Sequence, residues 1–162
     1  MQEEKREVAP NRYPILNTYV NALSMDETVD YVKRVIARRT PPVQHVVINA
    51  LKVNLMEKDP ELREIVNSCP LINADGASIL WAAKKLGVPV TERVTGIDLF
   101  MRLVEEAAKN GYKIYLFGAK PEVVEKVRDI FMEKYPTLQI VGMRNGYFGP
   151  EDEPEIVADM AA

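Results

Sequence analysis

Apolar residues recur along this chain with two periods. Short blocks of β-branched and aliphatic residues, the pattern of strands buried on both faces, alternate with longer stretches whose apolar positions return every three or four residues, the pattern of helices packed on one side. Ile15 to Val20 predicts a first strand. Ser24 and Glu27 are spaced as a capping box. They open a helix with Val29, Val32, Val35 and Ile36 inward and Lys33, Arg34, Arg38 and Arg39 toward solvent, ended by Thr40-Pro41-Pro42. Val43 to Ile48 predicts a buried strand with Asn49 at its carboxyl end, followed by a helix over Ala50 to Lys58. Asp59-Pro60, an N-cap and a first-turn proline, restarts a helix.

Pro70 to Ala74 predicts a strand that runs into Asp75-Gly76-Ala77-Ser78 and a helix reaching Leu86, where Gly87 suits a left-handed cap. After a loop from Val88 to Val94, Thr95-Gly96-Ile97-Asp98 opens a helix that ends at Asn110-Gly111. Tyr112 to Phe117 is the clearest strand. The turn Gly118-Ala119-Lys120-Pro121 leads into a helix through Lys134, a strand over Leu138 to Val141, a loop over Asn145 to Pro150 and a helix from Glu151.

Strands separated by helices imply crossover connections and an α/β fold, Rossmann-like, with a mostly parallel sheet flanked by helices. Residues 1–14 read as a flexible lead-in and 15–162 as one domain. The last helix meets no stop signal, so the domain is expected to be incomplete at its C-terminus and the natural protein longer. Ligands of such sheets bind beyond the carboxyl ends of the strands. Asn49, Asp75 and the Gly118 turn are therefore expected to converge on one crevice.

Composition narrows this picture. Hydrophobic residues make up 47% of the chain and charged residues 28%, an ordinary globular balance, and the net charge of −3 gives no basic excess for nucleic acid. The single cysteine, Cys69, cannot form an internal disulfide, nor a zinc site with the single His45. No apolar run is long enough to span a bilayer, and the polar N-terminus is not a secretory signal.

Several residues carry chemical interest, each with a plainer alternative. Asp75, between a strand end and a helix start, is either a catalytic carboxylate or an N-cap. Arg93 is either an anion fork or half of a surface ion pair with Glu92 or another carboxylate. Gly96 and the amides after it can bind an anion at a helix start. The Gly118 turn matches neither the GxGxxG fingerprint nor a P-loop, and is either a ligand contact or a tight βα turn. Glu151-Asp152-Glu153 more simply complements a helix dipole than holds a metal. His45 reads as structural or edge-exposed, while Trp81 and the methionines sit at core spacing.

Taken in order, the motifs resemble those of the WecG/TagA/CpsF glycosyltransferase family. They are Asn49-Ala50, the stretch from Lys58 to Leu62, Asp75-Gly76 with Trp81-Ala82-Ala83, Glu92 to Leu99, Lys113 to Gly118, and Gly146-Tyr147-Phe148. The resemblance implies an inverting enzyme. It would move N-acetylmannosamine, or a related hexosamine or uronic sugar, from a UDP-sugar to undecaprenyl-diphosphate-linked N-acetylglucosamine. This serves cell-wall or surface polysaccharide synthesis, at the cytoplasmic face of the bacterial plasma membrane. It implies Asp75 as general base and Arg93 near diphosphate or acceptor oxygens, with Asn49, Val47, Gly76 and Gly118 around the substrate and no metal or other cofactor.

Where the family commonly has Thr-Pro-Asn-Ala, this chain has Val47-Ile48-Asn49-Ala50, so Val47 replaces a pocket hydroxyl. The family continues by roughly another third, with a Gly-x-Pro-x-Gln-Glu motif and a basic tail that reaches the membrane. The chain alone is therefore expected to transfer little sugar. A homo-oligomer is left open. The competing reading is a non-catalytic Rossmann-like nucleotide-binding module. An NAD-dependent oxidoreductase is disfavoured by the missing glycine fingerprint.

Overall fold

The computed structural model describes residues 8–38 and 41–161. Seven α-helices and six strands alternate among these residues, and the chain divides into two compact units, Met1–Phe100 and Met101–Ala162. The fold is α/β, with short parallel sheets and flanking helices.

The first unit begins with a hairpin, β1 (Arg12–Ile15) paired antiparallel with β2 (Thr18–Asn21). This corrects the single strand expected over Ile15 to Val20. Leu16 is not strand interior but turn tip, at positive φ and 58% exposed. Asn17 beside it is held by bonds to the Val53 carbonyl and the Glu57 carboxylate, both remote in sequence. Of the lead-in expected over 1–14, residues 1–7 lie outside the described residues. Ala9 is buried, and Arg12 donates to the Cys69 and Asn67 carbonyls.

Helix α1 (Met25–Arg38) opens on the expected capping box, with Ser24 N donating to Glu27 and Glu27 N to Ser24 Oγ. Those bonds hold the Glu27 carboxyl below the usual carboxylate range. Arg39 and Thr40, where solvent exposure and the helix end were expected, lie outside the described residues.

Strand β3 (His45–Ile48) pairs in parallel with β4 (Leu71–Ala74), joined through α2 (Ala50–Lys58) and α3 (Pro60–Ser68). Every residue of β4 is buried, and its alternation sorts two layers. Ile72 and Ala74 join Met56, Val66, Ile79 and Ala83, contributed by α2, α3 and α4 (Ala77–Leu86). Leu71 packs with Tyr31 of α1. Asn73, on the same face, donates to Thr28 Oγ1 and takes a bond from His45 Nε2. His45 is thus a structural residue, and burial pushes its pKa below the ordinary imidazole value.

The hairpin docks on β4 by packing Ile15 and Val20 with Ile72 and Ala74, and one side chain supplies the hydrogen bonding. Asn21, 1% exposed, accepts from Ile72 N and donates to the carbonyls of Ala9 and Pro10. A side-chain amide here stands in for a strand ladder.

Helix α5 (Gly96–Asn110) starts in the first unit and runs into the second. There β5 (Lys113–Phe117) pairs in parallel with β6 (Gln139–Arg144), connected by α6 (Pro121–Lys134), over a core of Val104, Ala107, Phe131 and Leu138. β6 runs past its expected end because Gly142 lets the strand pass a register shift at Tyr115. A Cβ on Gly142 would fall 2.4 Å from that ring. A 3-10 turn (Pro150–Asp152) leads into α7 (Glu153–Ala161).

Candidate active site

Three chain segments of the first unit meet at the carboxyl edge of the β3–β4 pair. Asp75 N donates to the Ile48 carbonyl at 2.8 Å, carrying the pairing one residue past the strands. Val94 N donates to the Ala74 carbonyl at 3.0 Å, laying the loop before α5 beside the same strand end. Asn49, Asp75 and Arg93 each adjoin a residue of these two bonds. The sequence places them in separate motifs, and the fold brings them to one edge.

Each segment turns at once into a helix. Asn49 caps α2, its Oδ1 accepting from Lys52 N at 2.9 Å. Gly76 is the first residue outside α4, at φ 104°, where a side chain would be strained. It supplies no side-chain cap, and while Ile79 N donates to the Gly76 carbonyl, the amides of Ala77 and Ser78 remain open to another acceptor. Thr95 starts α5. Its hydroxyl accepts from Asp98 N and donates to the Asp98 carboxylate, and its carbonyl accepts from Leu99 N. Three helix amino ends, each with partial positive charge, thus arise from adjacent segments.

Asp75 is half-buried, and no hydrogen bond or ion pair among the described residues engages its carboxylate. The N-cap alternative is not what the structure forms, because the cap position is Gly76. Arg93 is exposed, and its expected alternative, an ion pair with Glu92 or another carboxylate, is absent among the described residues. Val47 packs beneath the start of α5, with its Cγ2 3.7 Å from where a Cβ on Gly96 would be. That side chain fills space and offers no hydrogen bond.

Lys52 carries little signal in the sequence. Its ammonium is half-buried and donates to the Val47 carbonyl at 2.9 Å. The available signal is a cation in the first turn of a helix, where the dipole disfavours it.

Gly118 belongs to the second unit. At φ 125° it donates to the Arg144 carbonyl, and Gly146 N closes the turn by donating to the Ala119 carbonyl. A Cβ on Gly146 would fall 3.1 Å from Gly118 Cα, so the close approach favours glycine at 146, whereas at 118 it is the positive φ that does. Beside this turn is a cavity of about 260 Å³ lined by Pro121, Val124, Glu125, Met143, Arg144 and Asn145. The expected convergence with Asn49 and Asp75 is drawn between residues of different units.

The acidic run at 151–153 is used locally. Asp152 accepts from Gly149 N and lies 3.7 Å from Arg144. Trp81 is a correction: it is 65% exposed, not core. The buried side of α4 is Ile79 and Ala83, and Trp81, two residues on from Ile79, points away from it. Met56 is fully buried, whereas Met132 and Met160 are exposed.

Among proteins of known family, the model described as the glycosyl transferase WecG/TagA/CpsF family matches residues 13–162.

Proposed function

Since the chain belongs to the WecG/TagA/CpsF glycosyltransferase family, we propose that it serves an inverting transfer with Asp75 as general base. The donor is a UDP-sugar carrying N-acetylmannosamine or a related hexosamine or uronic sugar. The acceptor is undecaprenyl-diphosphate-linked N-acetylglucosamine at the inner face of the plasma membrane. The observation that carries this reading is the unengaged, half-buried Asp75 carboxylate among three helix amino ends.

In the reaction so read, Asp75 takes the proton from the acceptor hydroxyl as its oxygen attacks the anomeric carbon. The bond from that carbon to the donor phosphate breaks, and its electron pair leaves on UDP. Inversion requires this one in-line step. The departing diphosphate gains negative charge, and fixed donors lower the barrier by meeting it. The amides opening α4 and α5, together with Arg93, are the groups assigned that task. Asn49, Val47 and Gly76 line the same edge.

The test is transfer from UDP-N-acetylmannosamine to the lipid-linked acceptor by the protein, with the product's anomeric configuration read by NMR. A β-linked product is expected. Arg93→Ala should lower transfer by about 10²-fold, the effect of losing one fixed donor to developing charge. Arg93→Lys should restore little, because a point charge does not reproduce the guanidinium fork. Normal turnover by Arg93→Ala would remove that residue from the site. Donor binding without any transfer would favour the non-catalytic nucleotide-binding module.

A further inference from the structure

Trp81 is the only tryptophan in the chain, and the fold leaves it on the surface of α4. Helical spacing puts Lys84 and Lys85, at i+3 and i+4, on its face of the helix. Both are exposed, and Lys85 Nζ lies 5.8 Å from the indole centroid. Ala77 and Ser78, also exposed, continue the face toward the amino end, and Leu86 is exposed at the other end. The helix contains no aspartate or glutamate. In a chain of net charge −3, this is a local basic stripe around a large apolar ring.

An indole beside lysines is the composition of a surface that meets lipid headgroups. The ring suits the boundary between apolar and wet layers, and the ammonium groups are drawn to anionic lipid. We propose that the Trp81–Lys84–Lys85 face of α4 docks on an anionic lipid surface. Charge complementarity selects this occupant over a second copy of the chain. A symmetric dimer through this face would bring the lysines of both copies together without a carboxylate on the helix to offset them.

The inference deepens the glycosyltransferase reading and rests on it for what is collected at the membrane. Helix α4 starts one residue after Asp75 and spans roughly 15 Å at 1.5 Å per residue. A bilayer along its face is therefore within a helix length of the proposed base.

The lone tryptophan reports directly. The chain is titrated with phosphatidylcholine vesicles, with and without phosphatidylglycerol, reading tryptophan emission and co-sedimentation. Emission should shift to shorter wavelength only with the anionic vesicles, and the shift should weaken with salt. Lys84→Glu with Lys85→Glu should lower vesicle binding by about tenfold or more. Trp81→Ala should lower co-sedimentation as well. Lys113→Glu with Lys126→Glu, exposed positions of the second unit, should change it little, and circular dichroism confirms that each variant is folded.

Equal binding to neutral and anionic vesicles would overturn the proposal. So would unchanged binding by the α4 double variant, or an emission shift that follows protein concentration without vesicles and marks self-association. Turnover is not read, so a failure here leaves the transfer reaction standing, and a failure of transfer leaves the docking face standing.

Discussion

Asp75→Asn is expected to slow sugar transfer by about 10²–10⁴-fold, the usual contribution of a positioned general base, while UDP-sugar affinity stays nearly unchanged. Asparagine keeps the shape of aspartate and loses only the ability to accept the proton. No bond among the described residues uses the Asp75 carboxylate, and its backbone amide, which joins it to Ile48, is untouched by the substitution. The variant should therefore fold like the parent, and the loss should fall on kcat. Steady-state kinetics paired with calorimetric titration of the donor separates the two quantities. A variant retaining most of its turnover would show that the proton leaves by another route. One that loses donor binding would make Asp75 a binding residue.

Asn21→Leu should have the largest effect on stability. It removes one donor group and one acceptor at a buried position and orphans three backbone partners, the amide of Ile72 and the carbonyls of Ala9 and Pro10. The bonds to Ile72 and Ala9 are buried and that to Pro10 only partly so, and each buried group left without a partner costs about 1–3 kcal/mol. A total loss of about 3 kcal/mol or more is expected, which lowers the thermal midpoint by roughly 10 °C in a chain of this size. Leucine keeps the branching of asparagine and is larger, so the effect is not one of a cavity. Asn110→Ala, an exposed change at a helix end with bonds only to Glu106, should stay within about 0.5 kcal/mol. Denaturant unfolding followed by circular dichroism compares the two. Similar midpoints for both variants would mean that the hairpin is not held to β4 by this side chain.

Elements with strong local punctuation are legible from the sequence. Helices α2 and α6 begin and end where the caps and prolines put them, at Ala50–Lys58 and Pro121–Lys134. Gly87 takes the left-handed conformation expected of it. Elements decided by remote partners are not legible. The hairpin turn is a matter of Asn17 reaching Val53 and Glu57 across the fold, and an apolar Leu16 hides it. The length of β6 depends on how Gly142 passes Tyr115. The position of Trp81 was readable in principle: counting the helical wheel from Ile79 and Ala83 turns it outward, whereas apolar identity alone suggested core.

The candidate site divides in the same way. Its strand-end residues, Asn49 and Asp75, follow from the rule that α/β sheets bind ligands at their carboxyl edge. Whether Asp75 caps its helix depends on backbone angles at Gly76 that composition does not reveal. The adjacency of Arg93 depends on one hydrogen bond, Val94 to Ala74. Lys52 escaped because a lysine in a helix pattern ordinarily means solvent.

Amide hydrogen exchange with and without saturating UDP-sugar tests the location of the site most directly. Bound donor should slow exchange in peptides covering 49–53, 75–79 and 93–99, the three helix starts at the β3–β4 edge, and leave 25–38 of α1 unchanged. Donor binding that is measurable by calorimetry but leaves all three helix starts exchanging at their original rates would contradict it.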